Sequence, residues 1–167
     1  MKKPIVISDP FPRTLDLIFT KKKLKELNSK YKVLIAPNKN KRQFYEKYID
    51  NVTFIMGQPD LDKKILSKAK KLKAIINVES NFMNNVDYAY CAKKGIHVIA
   101  TSPVFSKPVA EIALGMTLSL LRNIHNAHFD FVKGLEKYGL ESNLKASLLS
   151  GKKIGLLGFG DLAKSLY

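Results

Sequence analysis

An α/β fold on a parallel sheet is what this 167-residue chain predicts, and three observations predict it. Short apolar runs rich in β-branched residues recur at 5–8, 32–36, 52–56, 73–77 and 96–100. Between them, apolar residues fall three and four apart, the period of a helix with one buried face. The joints are short and carry Pro, Asn, Asp or Gly, which end elements rather than continue them. Strand and helix alternating in this way imply right-handed crossovers between parallel strands, with helices on both faces.

Each element has its own reason. Ile5–Ser8 reads as a buried strand ended by Asp9-Pro10-Phe11-Pro12. Thr14 is placed to cap a helix carrying Leu15, Ile18, Phe19, Leu24 and Leu27. Lys32–Ala36 is a second strand, stopped by Pro37-Asn38, and residues 41–49 form a helix with Phe44, Tyr45 and Tyr48. Val52–Met56 is the third strand, closed by Gly57 and Pro59; Asp60 then caps a helix through Leu61, Ile65, Leu66 and Ala69. Lys73–Asn77 is the fourth strand, Asn85–Lys94 a helix stopped by Gly95, and Ile96–Ala100 the fifth strand. The result is a flavodoxin-like layer, residues 1–100. Ligands of such sheets bind beyond the carboxyl ends of the strands, which directs attention to loops 9–13, 56–60, 78–84 and 101–107. From Pro108 to about His128, Val109, Ile112, Ala113, Met116, Leu120, Leu121 and Ile124 give a long connector helix, apolar on more than one face. Residues 129–150 read as a polar helix and turn.

Charge and composition narrow the function classes. Lys plus Arg is 29 against 14 acidic residues, a net charge of +15, and all but Arg13, Arg42 and Arg122 are lysines. Lysine lacks the planar fork that arginine offers to base edges, and the lysines are spread along the chain, so a solvated surface is expected and no nucleic-acid partner. The lone Cys91 excludes a disulfide framework and a cysteine zinc cluster. His125 and His128 lie three apart without a third ligand, so no metal is expected. No apolar run approaches the ~18 residues of a membrane span, and the apolar stretch near the N-terminus is too short for a signal peptide. A cytoplasmic protein with no membrane partner is the expectation.

One motif carries chemistry. Ile154–Leu157 reads as a strand, and Gly158-Phe159-Gly160-Asp161-Leu162-Ala163 follows it into a helix. This is G-x-G-x-x-A, the dinucleotide fingerprint. Gly158 permits the tight turn, Gly160 lets backbone approach a pyrophosphate, and Ala163 allows close helix–strand packing. The acidic residue that reads the ribose ~20 positions on is not reached before Tyr167. A strand at 154–157 would also have two bare edges. The expectation is therefore a fragment of a longer protein, truncated early in a Rossmann unit.

Three stretches resemble the D-isomer-specific 2-hydroxyacid dehydrogenases: Asn84-Asn-Val-Asp87 with Cys91-Ala-Lys-Lys-Gly-Ile-His-Val98; Thr101-Ser-Pro103 with Val109-Ala-Glu-Ile-Ala-Leu-Gly-Met116; and Gly151-Lys-Lys-Ile-Gly-Leu-Leu-Gly-Phe-Gly160. The resemblance implies a substrate domain over residues 1–100 and the beginning of a nucleotide-binding domain over 101–167. It implies hydride transfer between NAD or NADP and a small 2-hydroxy or 2-oxo acid, and a homodimer through helix 108–128. By position it implies that Gly158, Phe159, Gly160, Asp161, Leu162, Ala163 and Asn81 meet the cofactor, and that Ser80, Asn81 and Phe82 meet the substrate carboxylate. The family's arginine, histidine and supporting carboxylate lie beyond Tyr167, so no catalytic residue is assigned and the chain alone is expected to be silent. Two positions depart from the family: Glu79-Ser-Asn-Phe-Met83 has no glycine, and Asp161 stands where arginine is common. The alternative reading is a basic binding module, or a small-molecule sensor of flavodoxin-like fold, without catalysis.

Overall fold

The computed structural model describes residues 2–9, 11–79 and 81–167. The chain divides into two compact units, Met1–Thr101 and Ser102–Tyr167.

In the first unit, β1 (Ile5–Asp9), β2 (Lys32–Ile35), β3 (Val52–Gly57), β4 (Ala74–Asn77) and β5 (His97–Ala100) form one parallel sheet of order β2-β1-β3-β4-β5. The row Asp9, Gly57, Asn77, Ala100 closes its carboxyl edge in register. Side chains alternate across the sheet. Ile7, Ile55 and Ile75 therefore pack one way, against Tyr45, Leu61, Ile65, Leu66 and Cys91, while Val6 and Met56 pack the other way, against Leu15, Ile18 and Leu27. The helices supplying those faces are α1 (Leu15–Ile18), α2 (Lys21–Lys30), α3 (Lys41–Tyr48), α4 (Lys63–Leu66) and α5 (Tyr88–Lys94).

Three elements differ from expectation, the simplest being the helix expected at 85–94, which starts at Tyr88 with Asp87 as its cap, accepting from Tyr90 N–H. The helix expected from Thr14 is broken at Phe19-Thr20; Thr14 makes no side-chain cap, whereas the Thr20 hydroxyl accepts from Lys23 N–H and starts α2. Asp62, not Asp60, caps α4 by accepting from Ile65 N–H at 2.8 Å. The backbone hydrogen bond to Ile65 is the largest cause holding that carboxyl below its usual range. Leu61 is thereby freed to bridge to Val86 instead of starting the helix.

The second unit consists of α6 (Ser102–Leu121), α7 (Ile124–Val132), α8 (Leu140–Asn143) and α9 (Asp161–Leu166), with α9 packed on α6. The long helix expected at 108–128 begins six residues earlier, contains Pro108, and breaks at Asn123, whose φ of 56° is a left-handed conformation that asparagine tolerates. Against the expectation that no apolar run approaches a membrane span, α6 is long and apolar enough to cross one by length and composition, with Lys107 and Glu111 as its charged residues. The strand expected at 154–157 does not form. Among the described residues no strand pairs with it; the segment lies exposed and its backbone groups are left to water, so nothing holds it in a ladder.

Candidate functional site

Ligands of parallel sheets bind beyond the carboxyl ends of the strands, and here that edge carries a buried polar network. Asp9 ends β1 and is buried, and its carboxylate accepts from Lys41 Nζ at 2.5 Å and from the Tyr45 hydroxyl at 3.0 Å. Lys41 and Tyr45 stand one turn apart on α3, so both reach the same acceptor. Burial first, and then the Asp9 charge, push the Tyr45 phenol far above its usual range. The Asp9 carbonyl also accepts from Gln58 N–H at 2.8 Å, which ties the loop after β1 to the loop after β3.

The loop after β4 is pinned at both ends. At its start the Thr101 hydroxyl donates to Val78 O at 3.0 Å. At its end Asn85 donates to Pro59 O at 2.6 Å and accepts from Leu61 N–H at 2.8 Å, while Tyr88 donates to Met83 O. Between these ties, Asn81 and Phe82 are exposed, and the Phe82 ring meets Tyr88 edge-on at 5.9 Å. The expected substrate residue Ser80 lies outside the described residues. Glu79 does not stand alone as a negative charge: its carboxylate forms an ion pair with Arg13 from the loop after β1. A cavity of about 590 Å³ adjoins this edge, with Arg13, Thr14 and Asn38 in its wall. Ser8 Oγ and both amide atoms of Asn77, all buried, meet no protein partner among the described residues. The edge is thus polar, partly unsatisfied and accessible.

In the second unit, Gly158 has a φ of +91°, which only glycine adopts without strain, and an added Cβ at Gly158 or Gly160 would meet nothing within 4 Å. The motif therefore makes a glycine-dependent turn with open space above it. Gly160 then leads into α9, and lacking a side chain it leaves the first N–H groups of that helix uncapped. Asp161 opens α9, where a carboxylate is favoured, and accepts from the Ser102 hydroxyl at 2.9 Å. Phe159 is exposed, and Leu162 and Ala163 lie on the helix. These residues suit a dinucleotide phosphate. Cys91 is buried, its thiol pushed up by burial, as a packing residue would be.

Sequence reasoning missed the Arg13–Glu79 pair and the Asp9 network. The first joins residues far apart in sequence and leaves no periodic signal. The second had one: Lys41 and Tyr45 are spaced by four on a helix that must face the end of a neighbouring strand.

Comparison with known proteins agrees with this geometry. A family model for the D-isomer specific 2-hydroxyacid dehydrogenase catalytic domain matches residues 10–147. A hydroxypyruvate reductase of Thermotoga maritima is 27% identical over 139 residues, covering 77% of this chain and 44% of the relative. The crystal structure of a Rhizobium etli phosphoglycerate oxidoreductase superposes with a TM-score of 0.82 at 43% identity, covering 98% of this chain and 51% of that one. An NAD-dependent formate dehydrogenase of Staphylococcus aureus, solved with NAD, superposes with a TM-score of 0.63 at 25% identity, covering 99% and 52%. The chain spans about half the length of these proteins. Because the family match covers more than half of the chain and takes in both the pinned loop after β4 and all of α6, the chain belongs to the D-isomer specific 2-hydroxyacid dehydrogenases, a family of oxidoreductases.

Proposed function

We propose that residues 1–100 are the substrate domain and residues 101–167 the beginning of the nucleotide-binding domain of an NAD- or NADP-dependent D-2-hydroxyacid dehydrogenase. The observation that carries this reading is the family match over residues 10–147. The substrate is a small 2-oxo or 2-hydroxy acid. Backbone N–H groups of the Ser80–Phe82 loop take its carboxylate, and the ties from Thr101, Asn85 and Tyr88 hold that loop in place. Arg13 neutralises Glu79, which would otherwise repel an anion at the same loop. Gly158–Ala163 receive the pyrophosphate, and Asn81 meets the cofactor near its nicotinamide end. The nicotinamide, when bound, supplies or accepts the hydride. The apolar side chains that α6 and α7 leave exposed, among them Ile112, Met116, Leu120 and Ile124, form a homodimer contact. The buried free thiol of Cys91 suits a cytoplasmic protein.

The test is the product of the reading frame that contains this chain, assayed for NADH and NADPH oxidation with hydroxypyruvate, glyoxylate and related 2-oxo acids. Turnover giving the D-isomer is expected. A folded product that reduces none of them removes the proposal. The 167-residue chain by itself is expected to show no turnover, since it contains none of the acid/base residues the family uses.

A further inference from the structure

The net charge is unevenly placed. Through Thr101 there are 21 basic and 9 acidic residues, a surplus of 12; after it there are 8 and 5, a surplus of 3. Lysines that are scattered in sequence are gathered in space at the amino edge of the sheet, opposite the loops described above. There a groove of about 1190 Å³ is lined by Lys2, Lys3, Lys32, Lys47, Lys71 and Lys73, with Asp50 as its one acid. Backbone hydrogen bonds hold the positions of two of them: Lys32 N–H donates to Pro4 O and Lys73 N–H to Thr53 O, each at 2.9 Å. Two ammonium groups rest on neutral acceptors, Lys71 on Asn51 Oδ1 at 2.7 Å and Lys3 on Asn28 O at 2.9 Å. Among the described residues none of the six is ion-paired, whereas Lys30, Lys41 and Lys68 of the same unit each meet a carboxylate. Six like charges gathered around a single acid repel one another, so the arrangement disfavours the compact state unless a further anion joins it.

Two half-buried tyrosines share the groove. Tyr31 is braced edge-on by Phe54 at 5.9 Å, and Tyr48 leans on Phe44 at 5.0 Å. Lys47 Nζ lies 5.2 Å from the Tyr48 ring centroid. A positive groove with braced aromatic rings is the arrangement that tracks a phosphate backbone and stacks bases without reading them. Lysine in place of arginine fits charge contacts to phosphate rather than recognition of base edges. A flat anionic bilayer would meet the lysines but has no bases to stack on the half-buried rings.

We propose that this groove binds single-stranded nucleic acid without sequence preference, its lysines on phosphates and Tyr31 and Tyr48 beneath bases. The inference is independent of the dehydrogenase reading.

Fluorescence anisotropy of the 167-residue chain with a short labelled oligouridylate tests it. Six phosphate contacts on a single strand give a slope of log affinity against log salt of about −4, so binding weakens roughly 300-fold between 50 and 200 mM salt. Bulk charge also produces salt dependence, so the deciding comparison is between variants. Lys32→Glu/Lys71→Glu/Lys73→Glu is expected to weaken binding at least about 30-fold, and Lys21→Glu/Lys22→Glu/Lys63→Glu, the same charge change on exposed first turns of helices, less than about 3-fold. If the first triple variant does not fold, the corresponding glutamine triple takes its place, with about 5-fold weakening as its threshold. Equal weakening by the groove and control variants overturns the proposal. So does inorganic polyphosphate competing as well per phosphate as the oligonucleotide, or tighter binding to phosphatidylserine vesicles than to the oligonucleotide.

Discussion

Asp9 shows how one buried residue can organise a site it does not enter. It ends a central strand, holds α3 through Lys41 and Tyr45, and fixes through its carbonyl where the loop after β3 departs. Tyr45→Phe removes one charge-assisted hydrogen bond from a carboxylate that stays buried, which costs about 2 kcal/mol by denaturant titration. The same residue sets an alkaline limit. A phenol raised above its usual value of 10.0 keeps its proton in the fold while the unfolded chain loses its own. Stability is therefore held below pH 10 and declines as pH rises beyond it, and Tyr45→Phe lacks this component of the decline. Thr101→Val deletes the tie at the start of the loop after β4. About 1 kcal/mol of stability is lost, and on the dehydrogenase reading KM for the 2-oxo acid rises several-fold while kcat changes little, as steady-state kinetics of the reading-frame product would show.

At the scale of the element, the five strands, the helix α3 and the end of α5 were legible because period and punctuation agreed there. Gly95 is the clearest case: it closes α5 in the left-handed region with φ +69°, where a β-carbon is strained. Gly95→Ala is expected to cost about 1 kcal/mol or slightly more, read from the melting midpoint. Illegible boundaries share a cause: two competing signals a few residues apart. Thr14 and Thr20 both suit a cap, as do Asp60 and Asp62, and only tertiary contacts choose between them. Pro108 looked like a first turn because proline favours that place, yet it lies inside α6. The segment 154–157 had a strand composition but no partner, and pairing is not a property of one segment. In α2, Glu26 sits between Lys23 and Lys30, whose ammonium groups lower its carboxyl to about 2. Because the folded value is depressed, this contribution is present above 4.5 and disappears as pH falls through about 2. Far-UV circular dichroism should show it weakening with added salt as well.

For the whole molecule, motifs in three stretches pointed to the family, and the match over residues 10–147 takes in the first two of them. The gathering of lysines at one edge was hidden, because sequence distance says nothing about which strand ends are neighbours. On the proposed homodimer contact of α6 and α7, Leu120→Lys/Ile124→Lys is expected to shift the reading-frame product from dimer to monomer in sedimentation, with the first unit's spectrum unchanged. The strand order β2-β1-β3-β4-β5 has one more consequence, for a chain leaving the ribosome. β2 joins β1, β3 takes β1's other side, and β4 and β5 are then added outward in turn. Each strand emerges to find its neighbour already made. The sheet can assemble at the pace of synthesis, exposing one open edge at a time on its growing side and never holding a gap for a strand not yet translated.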